Sequence, residues 1–319
     1  MTPEKKDIII IDEQQLSVEG QTSGDKPIIV VEIDDGDTPK PKNKSFWKWV
    51  ILALVALVVV VGIVKVVHYF SLERLDVSIS TSPKENIMKL QRANVPYSIA
   101  RDHQSSQPEI TITSDSILGV AMDLYELHGL QARISMTEPD VCDSDVYFYC
   151  RCSDYHPDYS IIGDLVVDGN EIPSVEGYRY GYFAGANGKY VIGISQSNDV
   201  KDYVKTCGGC FFRQFVLVSD YMLPHEFYLH GKVERRALGR YVIGNSEKIM
   251  FIETRHKETM WDFADALREY GFIDAIYITG GHDYGYYRSA DGELHFMHST
   301  TELTHATGDK VPWLLFVKE

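Results

Sequence analysis

Basic charge is what this sequence has least to spare. Against 46 aspartates and glutamates stand only 31 lysines and arginines, for a formal net charge of −15 over 319 residues. General nucleic-acid binders need a basic face, so that class of partner is excluded; an anionic ligand must be held by a local group of arginines against the overall field. Cysteine is also scarce. The five cysteines are Cys142, Cys150, Cys152, Cys207 and Cys210, and their odd number leaves at least one thiol outside any intrachain disulfide. Cys207-Gly-Gly-Cys210 has redox spacing, but no thioredoxin-like strand–helix–strand pattern surrounds it, and the strand-like run FFRQFVLV follows directly. No second thiol pair stands at zinc-finger spacing, so the cysteines give metal binding little support. No cofactor is assigned from the residues, and no metal ligand.

Long apolar runs are absent with one exception, SFWKWVILALVALVVVVGIVKVVHYF, Ser45 to Phe70. Trp49 to Val64 carries no charge. About 25 residues make a helix of roughly 37 Å, enough for the ~30 Å hydrocarbon layer of a bilayer. Trp47, Trp49, Tyr69 and Phe70 stand where interfacial aromatics belong, and Lys65 can snorkel to the head groups. The run begins too late for a secretory signal, and no small-residue cleavage site follows it. Lys40, Lys42, Lys44 and Lys48 crowd its N-terminal flank, whereas Lys65 and Arg74 are sparse beyond it. The positive-inside rule then predicts a single-pass protein of the inner (plasma) membrane, N-terminus cytoplasmic and C-terminal domain extracytoplasmic or periplasmic. A cysteine-free first third agrees with that orientation, since only the exported part meets an oxidising compartment.

Four parts are expected: a disordered cytoplasmic tail over 1–45, a transmembrane helix over 46–70, a stalk or first helix of the ectodomain over 71–108, and the ectodomain over 109–319. The tail holds two β-branched runs bounded by acids, KDIIIIDE within Lys5–Glu13 and KPIIVVEID at Lys26–Asp34. Such runs suit addition to a partner's sheet edge, so a cytoplasmic protein partner is expected as one reading, and plain disorder as the other.

Beyond the apolar run, Ser82-Pro83 opens a helix that KENIMKLQRAN continues. EITIT reads as a strand. SDSILGVAMDLYELHG, Ser114 to Gly129, reads as a helix stopped by glycine. Short strands follow in DVYFYCRC, SIIGDLVVDGNEI, GYRYGYFAGANGKYVIGIS and RQFVLVSD, with DGN and ANGK as hairpin turns. GRYVIG and KIMFIET are two more strands. KETMWDFADALREYGF is an amphipathic helix with Met260, Phe263, Ala264 and Leu267 on one face and Gly271 as its cap, and AIYIT closes the unit as a strand. The fold class is α+β: a mixed, mostly antiparallel sheet with packed helices, preceded by a single transmembrane helix.

Chemistry concentrates in AIYITGGHDYGYYR, Ala275 to Arg288, where a strand runs into a glycine pair and a crowded polar turn. Glycines at Gly280 and Gly281 allow backbone N–H groups to approach an anion closely. His282 and Asp283 are candidate proton donors or acceptors. Tyr284, Tyr286 and Tyr287 are candidate surfaces for a sugar ring, and packing is their alternative. Arg235 and Arg288 are the candidate guanidiniums for phosphate oxygens.

The order of an Arg-x-Ala-x-Gly stretch (Arg235 to Gly239), a strand, a helix and a strand ending on paired glycines resembles the C-terminal half of the phosphodiester glycosidase family. KTCGGCFFRQFVLVSD, GDLVVDG and GYFAGANGKYVIG resemble earlier parts of it, so the likeness spans roughly Ile110 to Phe296. It implies a hydrolase of glycosyl phosphodiesters or a related envelope glycan, with Arg235 at the family's arginine. It also departs from the family. Thr279 stands at the position of the aspartate in Asp-Gly-Gly, and no Asn-Gly-Gly occurs near Tyr149 to Cys152. Catalysis is therefore expected from Asp283, His282 and Thr279, with Arg235, Gly280, Gly281, Tyr284 and Arg288 holding a glycan or sugar-phosphate ligand. The alternative is a non-catalytic envelope protein that uses the same cleft to bind a glycan or a protein.

Overall fold

The computed structural model describes residues 44–72, 81–91, 108–175, 177, 179–227, 229–244, 246–279, 285–297 and 311–318, with side chains in the first stretch described over 48–65. The tail over 1–43, the segment 73–80, and Gly280, Gly281, His282, Asp283 and Tyr284 lie outside the described residues. Contacts divide the chain into two units, Met1–Gly62 and Ile63–Glu319. Among the described residues one helix, Lys44–Leu72, contains a stretch, Lys48–Lys65, long and apolar enough to cross a membrane, and none of that stretch is buried.

The large unit is α+β and almost wholly antiparallel. A six-stranded sheet runs in the order Glu109–Ile117, Val120–His128, Ser246–Thr254, Arg236–Ile243, Asp274–Ile278, Val216–Ser219. A five-stranded sheet holds Lys189–Ile194, Gly181–Ala186, Cys210–Gln214, Leu165–Val167 and Asn170–Glu171. Another five-stranded sheet holds Leu294–Phe296, Gly285–Arg288, Val146–Arg151, Trp313–Val317 and Gln131–Ser135. The short strands Ile161–Ile162 and Ser174–Val175 pair in parallel.

Side chains from all three large sheets meet in one central apolar core that includes Phe148, Phe183, Phe212, Leu238, Phe251, Ile276, Ile278 and Phe316. The other face of the six-stranded sheet is covered by the helix Met260–Tyr270, whose Met260, Phe263, Ala264 and Leu267 are buried as their spacing predicts. Thr259 caps that helix by accepting from the Asp262 amide at 3.0 Å, and Gly271 ends it in the left-handed region at φ 109°. Helices Pro83–Gln91 and Asp199–Thr206 share an apolar cluster with the second sheet through Leu90, Val200 and Val204.

Two expectations are corrected. Ser114 to Gly129 is not a helix but a hairpin, Glu109–Ile117 against Val120–His128. Val120, Met122 and Leu124 face the helix-side core while Tyr125 and Leu127 belong to the central one, so both faces of this strand are buried and its apolar residues imitate helical spacing. Its turn uses Leu118 at φ 52° and Gly119 at φ 85°, a pair with only one typical turn residue. The second correction concerns the polar turn expected through Arg288. Gly285–Arg288 is a strand paired to Val146–Arg151 on one side and Leu294–Phe296 on the other. Tyr286 is fully buried against Tyr149, with its hydroxyl donating to the Val146 carbonyl at 3.4 Å, so it is a core residue and offers no surface to a sugar.

Candidate functional site

The strand Asp274–Ile278 is buried along its whole length and pairs with Arg236–Ile243. Thr279 follows at its end, 9% exposed. The Thr279 hydroxyl donates to Asp154 Oδ1 at 3.1 Å, and Arg179 Nη2 donates to Asp154 Oδ2 at 2.7 Å. Both carboxylate oxygens are thus fixed by partners from other parts of the chain. Arg179 is set in turn: its Nε donates to Gln214 Oε1 at 3.4 Å, and its guanidinium lies 4.3 Å from the centre of the Phe215 ring. Gln214 is fully buried, accepts from the Phe215 amide at 3.2 Å and donates to the Cys152 carbonyl at 3.4 Å. The Asp154 side chain keeps 22% of its surface exposed, whereas that of Arg179 keeps 8%. The outcome is a carboxylate reachable from solvent and held by a guanidinium, a hydroxyl and a buried amide behind them.

The strand that carries Asp154 forward, Val146–Arg151, also pairs with Gly285–Arg288 through Gly285 and Cys150. A side chain at Gly285 would collide with the Tyr149 carbonyl, so this crossing requires glycine. Of the residues expected at the site, the structure places Thr279 on Asp154. Arg235 is 2% exposed; its Nε donates to the Glu258 carbonyl at 3.0 Å and its Nη2 to the Gly231 carbonyl at 2.8 Å. Arg288 donates to the carbonyls of Gly292 at 3.0 Å, Asp143 at 3.2 Å and Val141 at 3.4 Å. These three residues share no described partner. Asp154, Arg179 and Gln214 were missed by sequence reasoning. Asp154 is 125 positions from Thr279, and no local motif marks the pairing.

Cys142, Cys152, Cys207 and Cys210 are free thiols, and Cys150, Cys152 and Cys210 lie in the central core. Burial pushes the Cys210 thiol up to about 12 and raises that of Cys152 as well, so neither is a ready nucleophile. Asp291, Glu293 and His295 form the one group of potential metal ligands among the described residues, on the exposed turn beyond Arg288.

No family model matches the chain, and no curated protein matches it. Among solved structures it is similar to the catalytic domain of zebrafish N-acetylglucosamine-1-phosphodiester alpha-N-acetylglucosaminidase, auto-inhibited by its pro-peptide. The two are 13% identical, with a TM-score of 0.46, covering 67% of this chain and 83% of that one. Nothing about activity is transferred on a likeness of that size.

Proposed function

We propose that the chain is a membrane-anchored, extracytoplasmic hydrolase of a glycosyl phosphodiester or related envelope glycan. The supporting observation is the Thr279–Asp154–Arg179 constellation, a partly exposed carboxylate held from two sides at a strand end. In this reading Asp154 takes the proton of the attacking water. Arg179 neutralises charge on the phosphate, the amides of Gly280 and Gly281 donate hydrogen bonds to its oxygens, and His282 or Asp283 gives a proton to the leaving oxygen. Arg235 supports the strand end by spanning two carbonyls, and Arg288 and Tyr284 border the ligand. Residues 46–70 hold the protein in the bilayer, with the tail over 1–45 in the cytoplasm and available to a protein partner there.

The decisive assay uses full-length protein in detergent micelles on an aryl-tagged glycosyl phosphodiester. Asp154→Asn is expected to lower turnover by ~10²- to 10⁴-fold, the usual contribution of one acid or base. Unchanged turnover in that variant removes Asp154 from the mechanism. One observation favours a second reading, a glycan-binding protein without catalysis: both Asp154 oxygens already have protein partners. Retained glycan binding with no turnover in the wild type selects it. Orientation is tested on exposed Cys142. A membrane-impermeant thiol reagent is expected to label it on intact cells, and labelling only after lysis overturns the topology.

A further inference from the structure

Strand register places two successive rows of side chains across the inner face of the six-stranded sheet. The first row is Ile112, Tyr125, Phe251, Leu238 and Ile276, each the direct partner of the next. Two residues along each strand, on the same face, lies Ser114, Asp123, Glu253, Arg236 and Ile278. The face therefore changes from apolar to polar in one step, and it does so at the end of the sheet where Ile278 leads into Thr279. The polar row also grades in exposure. The Arg236 and Glu253 side chains are each 1% exposed, Asp123 is 19% exposed, and Ser114 lies in the open. It runs from solvent into the interior.

Two carboxylates face each other across neighbouring strands in this row, an arrangement that costs stability unless cations offset it. Arg236 Nε donates to Glu253 Oε2 at 2.6 Å, and Arg255 Nε donates to Asp123 Oδ1 at 2.9 Å. Ser114 adds a hydroxyl bond to the same Asp123 oxygen at 2.6 Å. Glu253 Oε1 is different. It is buried and has no hydrogen-bond partner among the described residues. Leaving a buried acceptor unpaired costs about 1–3 kcal/mol, more for a charged group, so each such group in a native protein calls for an explanation, a functional role among them. Burial first, then the nearby Glu253 and Asp123 carboxylates, raise the Tyr125 phenol well above its usual range.

We propose that Glu253 Oε1 and Asp123 form a polyol-recognition track, in which a ligand ring presents hydroxyl donors to the two carboxylates. Carboxylates accept and never donate when ionised, so they select a partner rich in O–H groups and offer nothing to a bare anion. The track deepens the function proposed above, and rests on it, by assigning the sugar-facing part of the ligand to this row and leaving the phosphate to Arg179. A site built around a ligand hydroxyl also discriminates strongly against analogues lacking it, because the protein acceptor is then left unpaired.

The test is saturation-transfer NMR on full-length protein in detergent micelles, with methyl glucoside, methyl galactoside and myo-inositol as probes and spermidine as a cationic control. At least one ring polyol is expected to bind the wild type. Its affinity is expected to fall at least tenfold, on the order of 1.4 kcal/mol, in Glu253→Gln. The double variant Arg236→Met/Glu253→Met keeps the charge balance and volume of the pair, so it reports the same loss if the single variant folds poorly. Asp123→Asn, on the open part of the row, is expected to lower affinity too and reports if neither of the others folds. A structural Glu253 predicts lower stability with polyol affinity kept. Affinity within twofold of wild type in the folded variants overturns the track, as does binding of spermidine but of no polyol, or of no probe at all. Polyol binding that depends on Glu253, without cleavage of any phosphodiester, removes the hydrolase reading and leaves the track in place.

Discussion

Arg235 and Arg236 are consecutive, almost completely buried, and opposite in use. Arg235 turns toward the side of the sheet covered by a helix and spends its guanidinium on two main-chain carbonyls, Glu258 and Gly231. Arg236 turns inward and pairs with Glu253 in a row that reaches solvent through Asp123. The difference teaches that burial of a charge says little about what the charge does. Main-chain partners tie loops together, whereas a carboxylate partner with one oxygen still unpaired leaves capacity for something else.

The contrast can be broken most severely at Arg236. Arg236→Ala leaves Glu253 buried without its cation, and is expected to destabilise the domain by about 3–5 kcal/mol in urea unfolding. Arg235→Met removes two charged-donor bonds to carbonyls, with an expected loss of about 1.5 kcal/mol for each, or ~3 kcal/mol together. It should leave polyol affinity unchanged; a tenfold loss there would erase the distinction between the two faces. Thr279→Val deletes one hydroxyl bond to Asp154 at nearly constant volume, for about 0.5–1.5 kcal/mol, and is expected to reduce turnover more than stability. The smallest effect belongs to Glu171, whose carboxyl is held below its usual range by hydrogen bonds from Lys205 and then Lys201. A depressed carboxylate stabilises the fold above its unfolded value and loses that contribution as pH falls through its folded value. The stability gap between wild type and Glu171→Gln should therefore close on acidification, read as converging unfolding midpoints; a gap that widens would contradict the assignment.

Much of the scaffold was legible because local chemistry agreed with the final structure. Asp168-Gly169 and Asn187-Gly188 adopt positive φ at hairpin turns, as their residue types demand. The helix Met260–Tyr270 showed its buried face in its spacing. The hairpin turning at Leu118-Gly119 was not legible, because leucine is not a turn residue and both faces of Val120–His128 are apolar. Helix Asp199–Thr206 was missed as well: it is short, and Asn198 before it makes no side-chain cap bond. At the site, Thr279 stood out through its place before two glycines. Asp154 did not, since its meaning comes from contacts with Arg179 and Thr279 far along the chain. The Asp123–Glu253 row exists only through strand register, which sequence spacing does not encode across 130 positions (253 − 123).

The helix Pro83–Gln91 has a practical bearing on how the domain can be isolated. Asn86 donates to the Tyr182 hydroxyl at 2.7 Å and to the Ile192 carbonyl at 3.0 Å, Thr81 accepts from the Ile194 amide at 3.1 Å, and Lys89 reaches Glu247 at 2.8 Å. A fragment cut at Glu109, where the strands begin, would strip these ties and open the pocket that Leu90 fills. Expression boundaries drawn just upstream of Thr81 keep the plug in its socket.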